Sequence, residues 1–136
     1  RNNLILFKQQ IEDIHFSACD FCDFDYGILN TGDFIYADPP YLLTCGSYND
    51  GKRGFRGWTE KDDFDLMRIL TELSDRGVNF ALSNVIEHKG CTNDALIEWI
   101  ADSGYTVHGI NFNYNNCNYH TNNRENVTKE VLITNY

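Results

Sequence analysis

The sequence predicts an α/β fold, with a mostly parallel sheet and helices on its faces. Three observations carry this. Short β-prone apolar runs recur at Asp33–Ala37, Val78–Leu82 and Tyr105–Ile110. Stretches with helical spacing of apolar residues separate them. Gly77 and Gly104 stand where those stretches end. Strands alternating with helices imply parallel pairing, because each helix carries the chain back across the sheet.

Taken in order, Leu4, Ile5, Phe7, Lys8 and Ile11 fall at near-helical spacing, so residues 3–12 read as the end of a helix. Ile14–Ala18 is short and apolar and reads as a strand. Asp23–Gly32 holds turn formers and acids, and Asp33–Ala37 is a buried strand. Residues 42–58 contain Gly46, Gly51, Gly54 and Gly57 and no periodicity. A loop of that length inside a compact domain is usually functional or disordered.

Thr59 reads as a helix N-cap, with Asp62 three residues on. Phe64, Met67, Leu70 and Leu73 follow as one apolar face, and Gly77 ends the helix. Val78–Leu82 is the next strand, with Ser83-Asn84 at its carboxyl end. Thr92 or Asn93 caps a second helix whose buried side is Leu96, Ile97, Trp99 and Ile100. Tyr105–Ile110 alternates like a strand, residues 111–126 are rich in Asn and Tyr and read as loop, and Glu130–Thr134 is a final strand. In open α/β sheets ligands sit at the carboxyl ends of strands, so Asp38 and Ser83-Asn84 are expected on one rim.

Composition bounds the function. A chain of 136 residues argues for one domain, and 42% hydrophobic with 23% charged residues marks it as globular. No apolar run approaches the ~20 residues of a membrane span. The formal net charge of −9 argues against this chain gripping DNA by itself. The local exceptions are Lys52, Arg53 and Arg56, and Arg124 with Lys129, which are either phosphate contacts or solvated loop residues. Five cysteines (Cys19, Cys22, Cys45, Cys91 and Cys117) at scattered spacing suggest reduced thiols in a cytoplasm. Cys19 and Cys22 form a C-x-x-C, but no second ligand pair completes a zinc site, and the four histidines show no ligand spacing, so no metal is expected.

The chemistry concentrates in "FIYADPPYLL", residues 34–43. Each proline fixes its own φ and lacks an N–H, and the residue before a proline is held extended. Asp38-Pro39-Pro40 is therefore a stiff corner that presents the Asp38 carboxylate beside the Pro39 carbonyl. Two acceptors at fixed separation suit an exocyclic amino group with two N–H donors. Tyr41 adds a flat face on which a planar heteroaromatic ring can stack for about 1–3 kcal/mol. A base inside a duplex reaches such a pocket only by flipping out. A tight strand-to-loop turn with an exposed acid is the plainer alternative.

Asp38-Pro39-Pro40-Tyr41 is similar to the DPPY motif of adenine-N6 DNA methyltransferases. The wider chain resembles their Dam-type, D12-class group, through "GDFIYADPPY", "GWTEKDDFDLMRIL", "GVNFALSN", and "REN" leading into "KEVLITNY". The resemblance implies a partial Rossmann-like class I methyltransferase sheet, mostly parallel with an antiparallel C-terminal strand. It also implies methyl transfer from S-adenosylmethionine to N6 of a flipped adenine in duplex DNA. Asp38 and the Pro39 carbonyl would accept from the amine and free its lone pair, with Pro40 and Tyr41 completing the motif. Asp20 and Phe21, with Asp38, fall where the family holds the cofactor; an ordinary strand end with a buried Phe is the alternative for Asp20-Phe21. Trp58 either packs at the start of its helix or forms a second wall for the flipped base.

The family's glycine-rich cofactor loop and its ribose-binding acid precede this region, and no Gly-x-Gly follows a strand near Arg1. Residues 1–136 are thus expected to be the C-terminal part of a methyltransferase catalytic domain, with an exposed sheet edge. The expected consequences are rearrangement of residues 1–22 or pairing with another chain, and weak or no cofactor binding by these residues alone. A bacterial or phage cytoplasmic enzyme, with a role in restriction-modification, is the implied setting. An RNA-base amino methyltransferase and an inactive remnant acting as an assembly partner are the alternatives.

Overall fold

The structure, a computed structural model, describes residues 7, 11, 13–44, 57–110 and 128–136. Its regular elements are strand β1 (Phe34–Ala37), helix α1 (Glu60–Asp75), strand β2 (Asn79–His88), the short β3 (Cys91–Thr92), helix α2 (Asp94–Ser103), β4 (Thr106–Ile110) and β5 (Thr128–Thr134). They form one open sheet in the order β1-β2-β5-β4, with β3 folded against the end of β2.

β1 and β2 pair in parallel, Phe34 opposite Asn79 through Ala37 opposite Leu82. Every other ladder is antiparallel. The mostly parallel sheet of the sequence reading is corrected here. β5 runs opposite to both β2 and β4, so β1, β2 and β4 share one direction. Because the reversed strand lies between β2 and β4, the ladders it makes are antiparallel even though most strands point the same way.

α1 is specified at both ends. The Thr59 side chain accepts from the Asp62 amide, and the Asp62 carboxylate takes the Thr59 amide at 2.9 Å and the Thr59 hydroxyl at 2.7 Å. This reciprocal box satisfies donors that the first turn leaves orphaned. At the other end Gly77 has φ of 78°. Its amide donates to Ser74 O at 2.9 Å, and the Val78 amide donates to Leu73 O at 3.0 Å. That pair of bonds is a Schellman motif, and the left-handed residue it requires is most easily glycine. Val78 and Leu73 pack together across the cap.

The buried face of α1 is Leu66, Met67, Ile69, Leu70 and Leu73, together with Asp62 and Asp63. Phe64 was expected there and is instead 59% exposed. A three-residue step falls short of a helical turn and drifts about 60° each time. Phe64 and Leu73, nine positions apart, thus point about 180° apart.

The core joins Leu66, Met67 and Leu70 of α1 to Phe80 and Leu82 of β2, Leu96 of α2, and Val131 and Ile133 of β5. Phe80 is fully buried, with the Trp99 ring stacked at 6.1 Å and the Tyr105 ring edge-on at 5.1 Å. Residues i and i+2 of a strand share a face, so both helices cover the Phe80–Leu82 side of the sheet. α2 is capped by Asn93, whose side chain accepts from the Leu96 amide at 3.2 Å, and it stops at Gly104 in left-handed geometry. Leu96 is buried and Trp99 and Ile100 half-buried, whereas Ile97, assigned to the same side, is exposed.

Two strand assignments are corrected. Ile14–Ala18 has no strand, and Ile14 and Phe16 are 52% and 76% exposed. These residues have no partner strand in the sheet, and without a ladder an apolar alternation stays irregular. β2 does not stop at Leu82 but runs through Ser83-Asn84 to His88, because β5 pairs with it along that length. Its polar residues are satisfied locally: the Asn84 side chain accepts from the Val85 amide at 2.7 Å.

The helix expected over residues 3–12 lies outside the described residues except for Phe7 and Ile11, of which Phe7 is helical. The expected loop over residues 111–126, most of the loop over 42–58, and Lys52, Arg53, Arg56 and Arg124 also lie outside them.

Candidate active site

β1 ends where its sequence forbids continuation. Ala37 pairs with Leu82, and Asp38-Pro39-Pro40 follows with two residues that lack an amide donor. The chain then turns through a single 3₁₀ turn at Leu42–Thr44, closed by Thr44 N–H donating to Tyr41 O at 3.1 Å. Asp38 and Pro40 are exposed, and Pro39 and Tyr41 are half-buried. Ser83, the first residue of β2 beyond the end of β1, is on the same rim.

The Tyr41 hydroxyl is the hub of that rim. It lies 2.7 Å from Ser83 Oγ, 3.0 Å from Glu130 Oε1 of β5 and 3.3 Å from Asp38 Oδ1. Burial raises the Tyr41 phenol pKa well above its ordinary value of 10.0. The bond to Glu130 and the Glu130 and Asp38 charges add to the rise, and the Ser83 bond opposes it. The hydroxyl therefore keeps its proton at neutral pH.

A cleft of about 610 Å³ opens at the corner. Asp38, Pro39 and Pro40 line it together with Asp20, Phe21 and Trp58. Residues from three separate parts of the sequence thus meet at one cavity, and Tyr41 is not among the residues lining it. Asp20 caps the short 3₁₀ turn Phe21–Asp23, accepting the Cys22 amide at 3.0 Å, and this fixes its carboxylate at the cleft wall. Desolvation, followed by the Asp20 carboxylate, raises the Cys22 thiol pKa. Cys19, Cys22 and Cys91 are all free thiols.

The Phe21 and Trp58 rings meet at 5.3 Å with planes 37° apart. Trp58 is held from behind. Its indole N–H donates to Asp63 Oδ1 at 2.6 Å, and the Asn93 amide donates to Asp63 Oδ2 at 2.8 Å. Trp58 therefore both packs at the start of α1 and walls the cleft.

The sequence reading did not single out Glu130, Asp63 or Asn93 in these polar roles. Asn93 was seen only as a cap. Asp63 carried a faint signal, as a third acid, after Glu60 and Asp62, in the first turn of a helix capped by Thr59. Glu130 carried none of its own, because it reaches Tyr41 only once β5 is known to lie beside β2. Among the described residues no cluster of His, Cys, Asp or Glu could hold a metal ion, and no helix is long and apolar enough to cross a membrane.

A family model described as D12 class N6 adenine-specific DNA methyltransferase matches residues 1–125. The chain is similar over its whole length to "Modification methylase StsI" of Streptococcus sanguinis, at 46% identity, and to "Type II methyltransferase M.FokI" of Planomicrobium okeanokoites, at 41%. It is 42% identical over 89% of its length to "Modification methylase LlaI" of Lactococcus lactis subsp. lactis. It spans 21%, 21% and 17% of these relatives, about a fifth of their length. With a family match across nearly all its residues, the chain belongs to the D12 class N6 adenine-specific DNA methyltransferases.

Proposed function

We propose that the whole protein carrying this chain methylates N6 of adenine in duplex DNA, and that Asp38 and the Pro39 carbonyl receive the target amine. The observation that supports this reading most directly is the shared cleft, which Asp20, Phe21 and Trp58 line together with Asp38-Pro39-Pro40. Its volume of about 610 Å³ suits a nucleoside-sized ligand. Asp20 offers an acceptor for an amino group, and Phe21 and Trp58 offer apolar faces for a ring, so these residues fit the adenosine part of S-adenosylmethionine.

When bound, S-adenosylmethionine supplies an electrophilic methyl group. The chain's own residues do the rest. Asp38 and the Pro39 carbonyl accept the two N–H bonds of the amine, which pulls the nitrogen toward tetrahedral geometry and frees its lone pair. The proline corner holds both acceptors in place, so the contribution is positioning and electrostatics. Tyr41, outside the cleft lining and anchored through its hydroxyl, is left as a stacking face for the target base. The proton released after transfer passes to Asp38 or to water.

We read the sheet as part of a class I methyltransferase sheet, with residues 1–136 as the C-terminal part of the catalytic domain. The β1 edge has no neighbour among the described residues and is open to strand pairing with the remainder of the protein or with another chain. The names of the relatives support a modification role within a restriction-modification system, and a bacterial or phage cytoplasmic enzyme is the setting that fits it.

Transfer of a labelled methyl group by the full-length protein tests this. Duplex DNA containing adenine should be labelled, RNA should not, and Asp38→Ala should lower the rate by about 10²–10³-fold. Undiminished methylation by the Asp38→Ala protein would overturn the assignment.

A further inference from the structure

Tyr41 has one hydroxyl proton and two carboxylates within reach. Glu130 Oε1 is at 3.0 Å and Asp38 Oδ1 at 3.3 Å, and Ser83 Oγ, at 2.7 Å, can donate to the phenol oxygen as well as accept from it. A phenol donates a single hydrogen bond. With the Ser83 hydroxyl donating into the phenol oxygen, the Tyr41 proton must serve one carboxylate or the other. The shorter distance favours Glu130.

The choice has a chemical consequence. A carboxylate that accepts an O–H is partly neutralised and becomes a weaker acceptor for any further donor. If the proton turned to Asp38, the carboxylate facing the cleft would lose acceptor strength toward an incoming amine. Glu130 is well placed to prevent this. It sits on β5 opposite Val85 of β2 and Ile110 of β4, in the middle of the sheet, and is half-buried. Ser83 beside it is 4% exposed, so water has little access from that side.

We propose that Glu130 is a positioning residue of the methyl-transfer site. It draws the Tyr41 proton away from Asp38, fixes the Tyr41 ring, and leaves the Asp38 carboxylate available to the target amine. This rests on the proposed role of Asp38 as an acceptor for adenine N6. The placement of the proton is a separate matter, and it can be measured separately.

Two readouts in the full-length protein test it. The first is independent of activity: the ¹³C resonance of the Asp38 side-chain carboxyl. It should move in Glu130→Leu, where Asp38 is the one carboxylate left within reach of the phenol. It should return close to its original position in Glu130→Gln, whose amide oxygen still accepts. The second is kinetic. Glu130→Leu should lower kcat about tenfold, with KM for DNA and for S-adenosylmethionine within about twofold, the equivalent of one hydrogen bond. Glu130→Gln should recover most of that loss. In a Tyr41→Phe background, where there is no proton to redirect, Glu130→Leu should add no further loss.

An Asp38 resonance that stays in place in Glu130→Leu overturns the proposal whether or not the protein methylates DNA. So does an equal kcat loss in Glu130→Leu and Glu130→Gln, or the same loss in the presence and absence of the Tyr41 hydroxyl. A wild-type protein that fails to methylate adenine would instead remove the functional reading and leave the carboxyl measurement to decide the proton.

Discussion

Trp58 and Asp63 are joined by a 2.6 Å hydrogen bond that ties the wall of the cleft to the first turn of α1. Asp63 is 4% exposed and its second oxygen takes the Asn93 amide, so one buried carboxylate couples the cleft wall, α1 and the cap of α2. Asp63→Leu would keep the volume but leave the Trp58 indole and the Asn93 amide without an acceptor. The expected loss is about 2–3 kcal/mol in chemical denaturation. Affinity for S-adenosylmethionine should fall with it, because Trp58 loses its orientation. Asp63→Asn, which keeps one acceptor, should lose clearly less on both counts.

The glycines that end the two helices should respond differently to alanine. Both have positive φ, 78° at Gly77 and 68° at Gly104. A methyl group at Gly104 meets open space, whereas at Gly77 it would lie 2.9 Å from Thr31 Cγ2. Gly104→Ala should cost about 1 kcal/mol for backbone strain, and Gly77→Ala about 1 kcal/mol more for the collision. Thr31→Ser removes the offending methyl and keeps the hydroxyl that donates to Arg76 O at 2.9 Å. In that background the two glycine substitutions should converge when denaturation midpoints are compared.

Tyr41 predicts an alkaline limb of stability. Its folded-state pKa is raised by burial, so below the ordinary phenol value of 10.0 both folded and unfolded states hold the proton and stability is fully present. Above that pH the unfolded chain ionises first, and stability is lost progressively as pH rises toward the folded value. Tyr41→Phe should make the profile flatter above pH 10.0 than in the wild type, and unchanged slopes would contradict the raised folded-state value.

Residues 1–136 contain no Gly-x-Gly turn of the kind that cradles the methionine part of the cofactor in this family. Titrated calorimetrically as an isolated polypeptide, they should bind S-adenosylmethionine more weakly than about 100 μM. A low-micromolar constant would show that Asp20, Phe21, Trp58 and Asp38 suffice to hold it.

What the sequence disclosed was local. The Thr59–Asp62 box, the Asn93 cap and the glycine stops are set by contacts within a few residues, and each is where its pattern placed it. Asp38 at the end of β1 followed from the prolines, whereas Ser83 neighbours it from within β2, the two joined through the Tyr41 hydroxyl. The failures share a different cause. Ile14 and Phe16 have the composition of a strand, but a strand needs a neighbour to pair with. Ser83-Asn84 looked like a stop because polar residues usually end a buried run, yet β5 carries β2 past them. Phe64 fitted a three-residue count that a helix does not keep. The Glu130–Tyr41 contact spans 89 positions and depends on sheet order, which no window of sequence contains.

The place of β5 also has a consequence for how the chain acquires its shape. Thr128–Thr134 enters the sheet between β2 and β4, and both of those strands precede it in sequence. Until it emerges from the ribosome, β2 and β4 have no ladder joining them, and the core around Leu82 and Phe80 lacks Val131 and Ile133. Asn135 then fastens the seam, its side chain accepting from the Phe80 amide at 2.8 Å and donating to Val78 O and Ser74 Oγ at 2.9 Å each. Closure is therefore a long-range event that waits on β5, and contacts so distant along the chain form slowly. The nascent polypeptide carries two sticky borders through that interval, which is when chaperone capture or aggregation would compete with folding.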